Sequence, residues 1–104
     1  MKRFYWTGYT NKQPNLAISE IEQIINHHGF IVDFKRFSDI SISMIVEIQE
    51  RKTSLLYNEL KQYMILNDPD SFASVSEEDC TILFNITFTK GTGDLRLEIP
   101  EVPG

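Results

Sequence analysis

A chain of 104 residues, 41% hydrophobic and 24% charged, reads as one domain with enough apolar content for a single small core. Its net charge of −5, with Asp68, Asp70, Glu77, Glu78 and Asp79 massed in one segment, argues against a surface that tracks nucleic-acid phosphates, which needs clustered Lys and Arg. The single cysteine, Cys80, excludes an internal disulfide framework and fits a reducing, cytoplasmic compartment. No stretch nears the ~18 apolar residues of a membrane span, and the start Met-Lys-Arg-Phe-Tyr-Trp lacks the apolar run and cleavage site of a signal peptide.

Residues 3–10 are rich in aromatic and β-branched types and predict a first strand, with Phe4 and Trp6 on one face and Tyr5, Thr7 and Tyr9 on the other. Gly8 within it signals a bulge or a close backbone approach. Residues 11–15 form a turn into a helix, where Asn11 or Asn15 can accept from an orphan amide of the first turn. The helix is predicted over 16–28 from the stripe Ile18, Ile21, Ile25 and His28, flanked by Ile24. A capping box of Ser19 and Glu22 would start it later and strand Leu16 and Ile18. Gly29 suits a left-handed C-cap.

A second strand follows over 30–37, with Phe30, Val32 and Phe34 alternating against Ile31, Asp33 and Lys35; Phe37 breaks the alternation and marks a bulge. Ser38-Asp39 is a tight link to a third strand, in which Ile40, Ile42, Met44, Val46 and Ile48 share one side. A second helix is predicted over 51–66, with Thr53 as N-cap and Leu56, Leu60, Tyr63 and Met64 at helical spacing, ended by Pro69. Residues 71–79 are an acidic connection, with Phe72 and Val75 as anchors. A fourth strand covers 80–90, with Ile82, Phe84, Ile86 and Phe88 on its buried face. A hairpin loop over 91–94 leads to a short strand over 95–99 and an extended tail to Gly104.

The expected fold is therefore α+β and spans 1–104 as one domain. It is a ferredoxin-like β-α-β-β-α-β sandwich, an antiparallel sheet with two helices on one face, plus an extra C-terminal strand. The usual 4-1-3-2 strand order of that fold makes the third strand central. The face away from the helices includes Tyr5, Tyr9, Ile31, Ile45 and Leu83. That is too apolar for a wholly wet surface, so a homodimer is expected.

Residues 10–16 (Thr-Asn-Lys-Gln-Pro-Asn-Leu), Ile21 and Ile25 on the helix, the run His-Gly-Phe-Ile-Val-Asp-Phe at 28–34 and the run Ser-Ile-Ser-Met-Ile-Val-Glu-Ile at 41–48 together resemble an ACT domain. The nearest likeness is to the variety at the N-terminus of bacterial phosphoserine phosphatases, over roughly residues 5–50. Such modules are regulatory, commonly dimerise, and bind amino acids or other small molecules near the first turn. The resemblance implies a ligand site at Asn11, Gln13, Pro14, Asn15 and Leu16. The family's turn carries an acid where this chain has Asn11 and a glycine where it has Asn15; only the proline, Pro14, is shared. The turn residues also stand as a site in their own right. Amides at a helix N-terminus can hold a carboxylate, and Asn11, Gln13 and Asn15 offer side-chain hydrogen bonds; the plain alternative is a capped turn.

Other motifs read more simply. His27 and His28 are adjacent on a helix, where one ion needs i, i+4 spacing, so neither is expected as a metal ligand. Gly91-Thr92-Gly93 precedes a strand rather than a helix, which makes it a turn and not a phosphate loop. The acid pairs lack an EF-hand pattern. Tyr5, Trp6 and Tyr9 could stack RNA bases, but Ser41, Ser43 and Glu47 sit where the third strand would need aromatics. No nucleophile–base pair can be assembled. The expectation is a non-catalytic regulatory module with no cofactor and no metal, binding a small polar ligand such as an amino acid; the alternative is a protein-interaction module without a ligand.

Overall fold

The structure is a computed structural model that describes residues 2–38, 40–67 and 76–89. The hairpin loop predicted at 91–94, the strand at 95–99, the tail, and Asp68, Asp70, Phe72 and Val75 lie outside the described residues. The chain runs β1 (Arg3–Thr10), α1 (Pro14–Asn26), β2 (Gly29–Ser38), β3 (Ser41–Gln49), a 3₁₀ turn (Glu50–Lys52), α2 (Thr53–Lys61), β4 (Ile65–Leu66) and β5 (Asp79–Phe88). Among the described residues it is an α/β sandwich of two layers, a five-stranded sheet and two helices. No helix among the described residues is long and apolar enough to cross a membrane.

Period-two alternation builds the sheet. Ile42, Met44, Val46 and Ile48 of β3 and Cys80, Ile82, Phe84, Ile86 and Phe88 of β5 are all buried on one face, with Trp6 of β1 beside them. α1 closes over that face with Ala17, Ile21 and Ile25, and α2 with Leu56, Tyr57 and Leu60, forming one core. Trp6 meets Tyr57 and Phe84 edge to face, at centroid distances of 5.5 and 5.9 Å. The predicted aromatic trio is thus split: Trp6 lies in the core, while Tyr5 and Tyr9 stand exposed on the far face.

The strand order β2-β3-β5-β1-β4 departs from the expected 4-1-3-2 arrangement. The fourth predicted strand, β5, inserts between β3 and β1, and it runs parallel to β1 over the whole of β1, so the sheet is mixed rather than antiparallel. Charge explains the placement. β5 carries no charged side chain between its first residue, Asp79, and its end at Phe88, and suits an interior position, whereas β2 carries Asp33, Lys35 and Arg36, which an edge tolerates. The far edge is closed by β4, two residues long, where the second helix was expected to continue to 66; α2 stops at Lys61. Thr53 is the first residue of α2 rather than its N-cap, and its hydroxyl donates to the Glu50 carbonyl at 2.8 Å.

β2 carries the second correction. Its pairing with β3 shifts register between Ile31 and Asp33 and between Arg36 and Ser38. The second shift is the bulge expected at Phe37. The first, at Val32, exchanges the faces of the strand's beginning. Ile31 opposite Val46 packs against the core, while Phe30 opposite Glu47 turns to the open face and is 73% exposed. The open face therefore bears Tyr5, Tyr9, Ile45 and Leu83 as expected, with Phe30 in place of Ile31.

Gly29 also has another role than the expected one. It opens β2 with no left-handed backbone, and a Cβ there would stand 2.4 Å from the Glu47 carbonyl oxygen and 2.9 Å from the Ile48 Cβ. At Gly8 the nearest atom to an added Cβ is the Met64 sulfur at 2.6 Å, the end of a flexible side chain. Gly29→Ala is expected to destabilise by about 1–3 kcal/mol, and Gly8→Ala by less, because a strand backbone cannot yield as a thioether can. Urea midpoints of the two variants check the ranking.

Candidate functional site

Pro14 occupies the first position of α1, where its fixed φ and missing amide suit a helix start. That places the N-cap one residue earlier, at Gln13, and not at Asn11 or Asn15. The Gln13 Oε1 accepts from the Leu16 amide at 2.9 Å, and the Gln13 carbonyl accepts from the Ala17 amide at 2.9 Å. The Lys12 amide donates to Thr10 Oγ1 at 3.2 Å. Asn15 Oδ1 accepts from Arg36 Nη1 at 3.1 Å, tying α1 to β2. Pro14 is buried and Leu16 is 55% exposed. The Leu16 amide and the side-chain oxygens of Gln13 and Asn15, which a carboxylate or its partners at this turn would use, are thus engaged within the chain, and Asn11 lines a cavity.

That cavity is a cleft of about 370 Å³ beyond the carboxyl ends of the parallel pair β1 and β5. Tyr9, Thr10 and Asn11 form one wall, residues 61–65 the other, and Thr89 closes the end. Its rim is basic. Lys61 lines it, and Lys12 lies with its Nζ 4.3 Å from the centroid of the Tyr63 ring. The Tyr63 hydroxyl donates to a Glu20 carboxylate oxygen, and burial, followed by that hydrogen bond, raises the phenol's pKa well above its ordinary value. Tyr63 therefore stays neutral and anchors α1 to the end of α2. Sequence reasoning placed it in a helical stripe and missed this wall, because the residues come together only through α2 ending at Lys61.

At the opposite end of the sheet a second cleft of about 310 Å³ joins His28, Gly29 and Phe30 to Glu47, Lys52 and Asp79. His28 Nε2 bonds Glu59 Oε1 at 2.7 Å, tying the turn after α1 to α2, while His27 is exposed; both histidines lie just beyond the end of α1 rather than within it. Nearby, Lys2 Nζ bonds the buried Glu50 at 2.7 Å, which raises the lysine's pKa. Cys80 is fully buried, and burial first, then the neighbouring Glu50 and Asp79, pushes its thiol up to about 11. It is a packing residue in the protonated form. Among the described residues no three His, Cys, Asp or Glu side chains gather as metal ligands do.

The third feature is a surface. β2 has no strand on its outer side among the described residues, and along it Phe30, Val32, Phe34 and Phe37 are 73, 52, 37 and 65% exposed. An unpaired ladder of amides and carbonyls lined with large apolar side chains is a template for another strand.

Gln13→Ala should destabilise the protein by about 0.5–2 kcal/mol through loss of the cap, as read by thermal or chemical denaturation. An unchanged stability would free the turn for another role. Comparison with protein families, curated proteins and solved structures finds no match for this chain.

Proposed function

We propose that this chain is a non-catalytic protein-interaction module whose docking surface is the outer edge of β2. One observation carries the reading: a ten-residue strand at the sheet edge leaves four large apolar side chains in water. Folded domains normally blunt such edges with short strands, charges, bulges or a covering segment. β2 has charges at its middle and a bulge on either side of them, yet Phe30, Val32, Phe34 and Phe37 stay exposed. A strand added there would take its main-chain hydrogen bonds from β2 and its specificity from Phe30, Phe34 and Phe37.

A regulatory module for a small polar ligand is the second reading. The cleft beyond β1 and β5, with Lys61 in its wall, favours it, since crevices at the carboxyl ends of parallel strands commonly receive ligands. Asn11, Lys61 and Gln62 would meet the carboxylate of an amino acid or of a similar small molecule there. The element order and the placing of both helices over one face support a relation to ferredoxin-like folds, ACT domains included; the insertion of β5 between β3 and β1 weighs against it. A lone buried Cys80 suits a reducing cytoplasm.

A photo-crosslinking residue placed at Phe37 should yield an adduct on irradiation in the cell, and one placed at the exposed Asn58 of α2 should not. Equal adducts at both positions, or none at Phe37, would contradict the assignment.

A further inference from the structure

We propose that the segment docked on β2 is β2 of a second copy of this chain, antiparallel, with the two-fold axis through Phe34. This rests on the reading of the β2 edge as a docking surface. Between the two register shifts, residues 33–36 form the regular part of the strand. Asp33 and Lys35 point to the open face, opposite Ile45 and Ser43, while Phe34 and Arg36 point to the helix face, opposite Met44 and Ile42.

An axis perpendicular to the sheet sets the residue it passes through against its own copy, and the residues before and after it against each other. Directly opposed side chains share a face. An axis at Asp33 opposes two carboxylates, one at Lys35 two ammoniums, and one at Arg36 two guanidiniums. Only Phe34 avoids this. There the two Phe34 rings meet on the helix face, and Asp33 of each copy stands opposite Lys35 of the other on the open face. The pattern Asp-Phe-Lys is self-complementary at that one register of the regular stretch. Like charges directly opposite destabilise a strand pair and unlike charges stabilise it, so the charges select the register while the phenylalanines supply apolar area. Two five-stranded sheets then join into one, with the helices of both copies on the same side.

Charge exchange tests the register. Wild-type chain should sediment as a dimer at micromolar concentration. Asp33→Lys alone sets an ammonium against an ammonium at both symmetry-related pairs, and Lys35→Asp alone sets a carboxylate against a carboxylate at both; each should weaken the dimer about tenfold or more. An equal mixture of the two variants sets lysine against aspartate at both pairs and should associate as a heterodimer, and the double variant D33K/K35D, which restores both unlike pairs only with the axis at Phe34, should dimerise again. Recovery in the double variant also rules out misfolding as the cause of the single losses. A monomeric wild type overturns the proposal, as does a dimer indifferent to the single reversals or a double variant that does not associate. The adduct at Phe37 separates this from the broader reading. An adduct of twice the chain mass supports the second copy. One of any other mass overturns the second copy but keeps β2 as a docking surface, and none overturns both.

Discussion

The structure depends on one constraint: among the described residues, the strands' fully buried apolar side chains all lie on a single face of the sheet. β3 and β5 give every second residue to that face, β1 gives Trp6, and the two helices close over it with Ala17, Ile21, Ile25, Leu56, Tyr57 and Leu60. Because burial of apolar area is the main favourable contribution to folding, the helix layer and the sheet cannot separate without exposing the whole core. The same constraint leaves the opposite face and the outer strand without cover among the described residues. What the molecule can offer to others follows from what it does not cover itself.

Much of this was legible in the sequence where periodicity was unambiguous. Ile42 to Ile48 and Ile82 to Phe88 alternate with residues that are polar except for Ile45 and Leu83, and a one-residue slip would bury Ser43, Glu47, Asn85 and Thr87 instead; their inward faces are as read. The stripe of α1 was legible at Ile21 and Ile25, but Ala17 is buried while Ile18 is only partly so, and the helix ends at Asn26, before the expected His28. The beginning of β2 was not, because Phe30, Ile31 and Val32 are all apolar and no parity can be read from them; the bulge at Val32 is settled by pairing with β3. Strand order was hidden for a different reason. Alternation says which way a side chain points but not which strand lies alongside, and the exclusion of charge from the interior of β5 became informative only beside the charges of β2. The end of α2 was overrun because Tyr63 and Met64 continue the helical spacing past Lys61 while serving as the wall of the cleft.

At the first turn the competition was between caps. Asn is the better intrinsic capping residue, and two were available, yet Pro14 at the first helical position hands the role to Gln13. The result is a turn whose hydrogen bonds are largely spent on its own helix. Gly29, read as a helix-ending glycine, is demanded instead by the Glu47 carbonyl across the β2–β3 pair. In both cases the residue type was noticed and the force acting on it was tertiary.

The exposed edge of β2 combines an unpaired ladder, apolar side chains and a charge pattern that fits its own reverse. Amide hydrogen exchange along β2, followed as the protein is concentrated, tests its use most directly. Amides around Phe34 should gain protection with concentration while those of β3 and β5 stay as they are. Exchange in β2 that is the same at every concentration would contradict association through this edge.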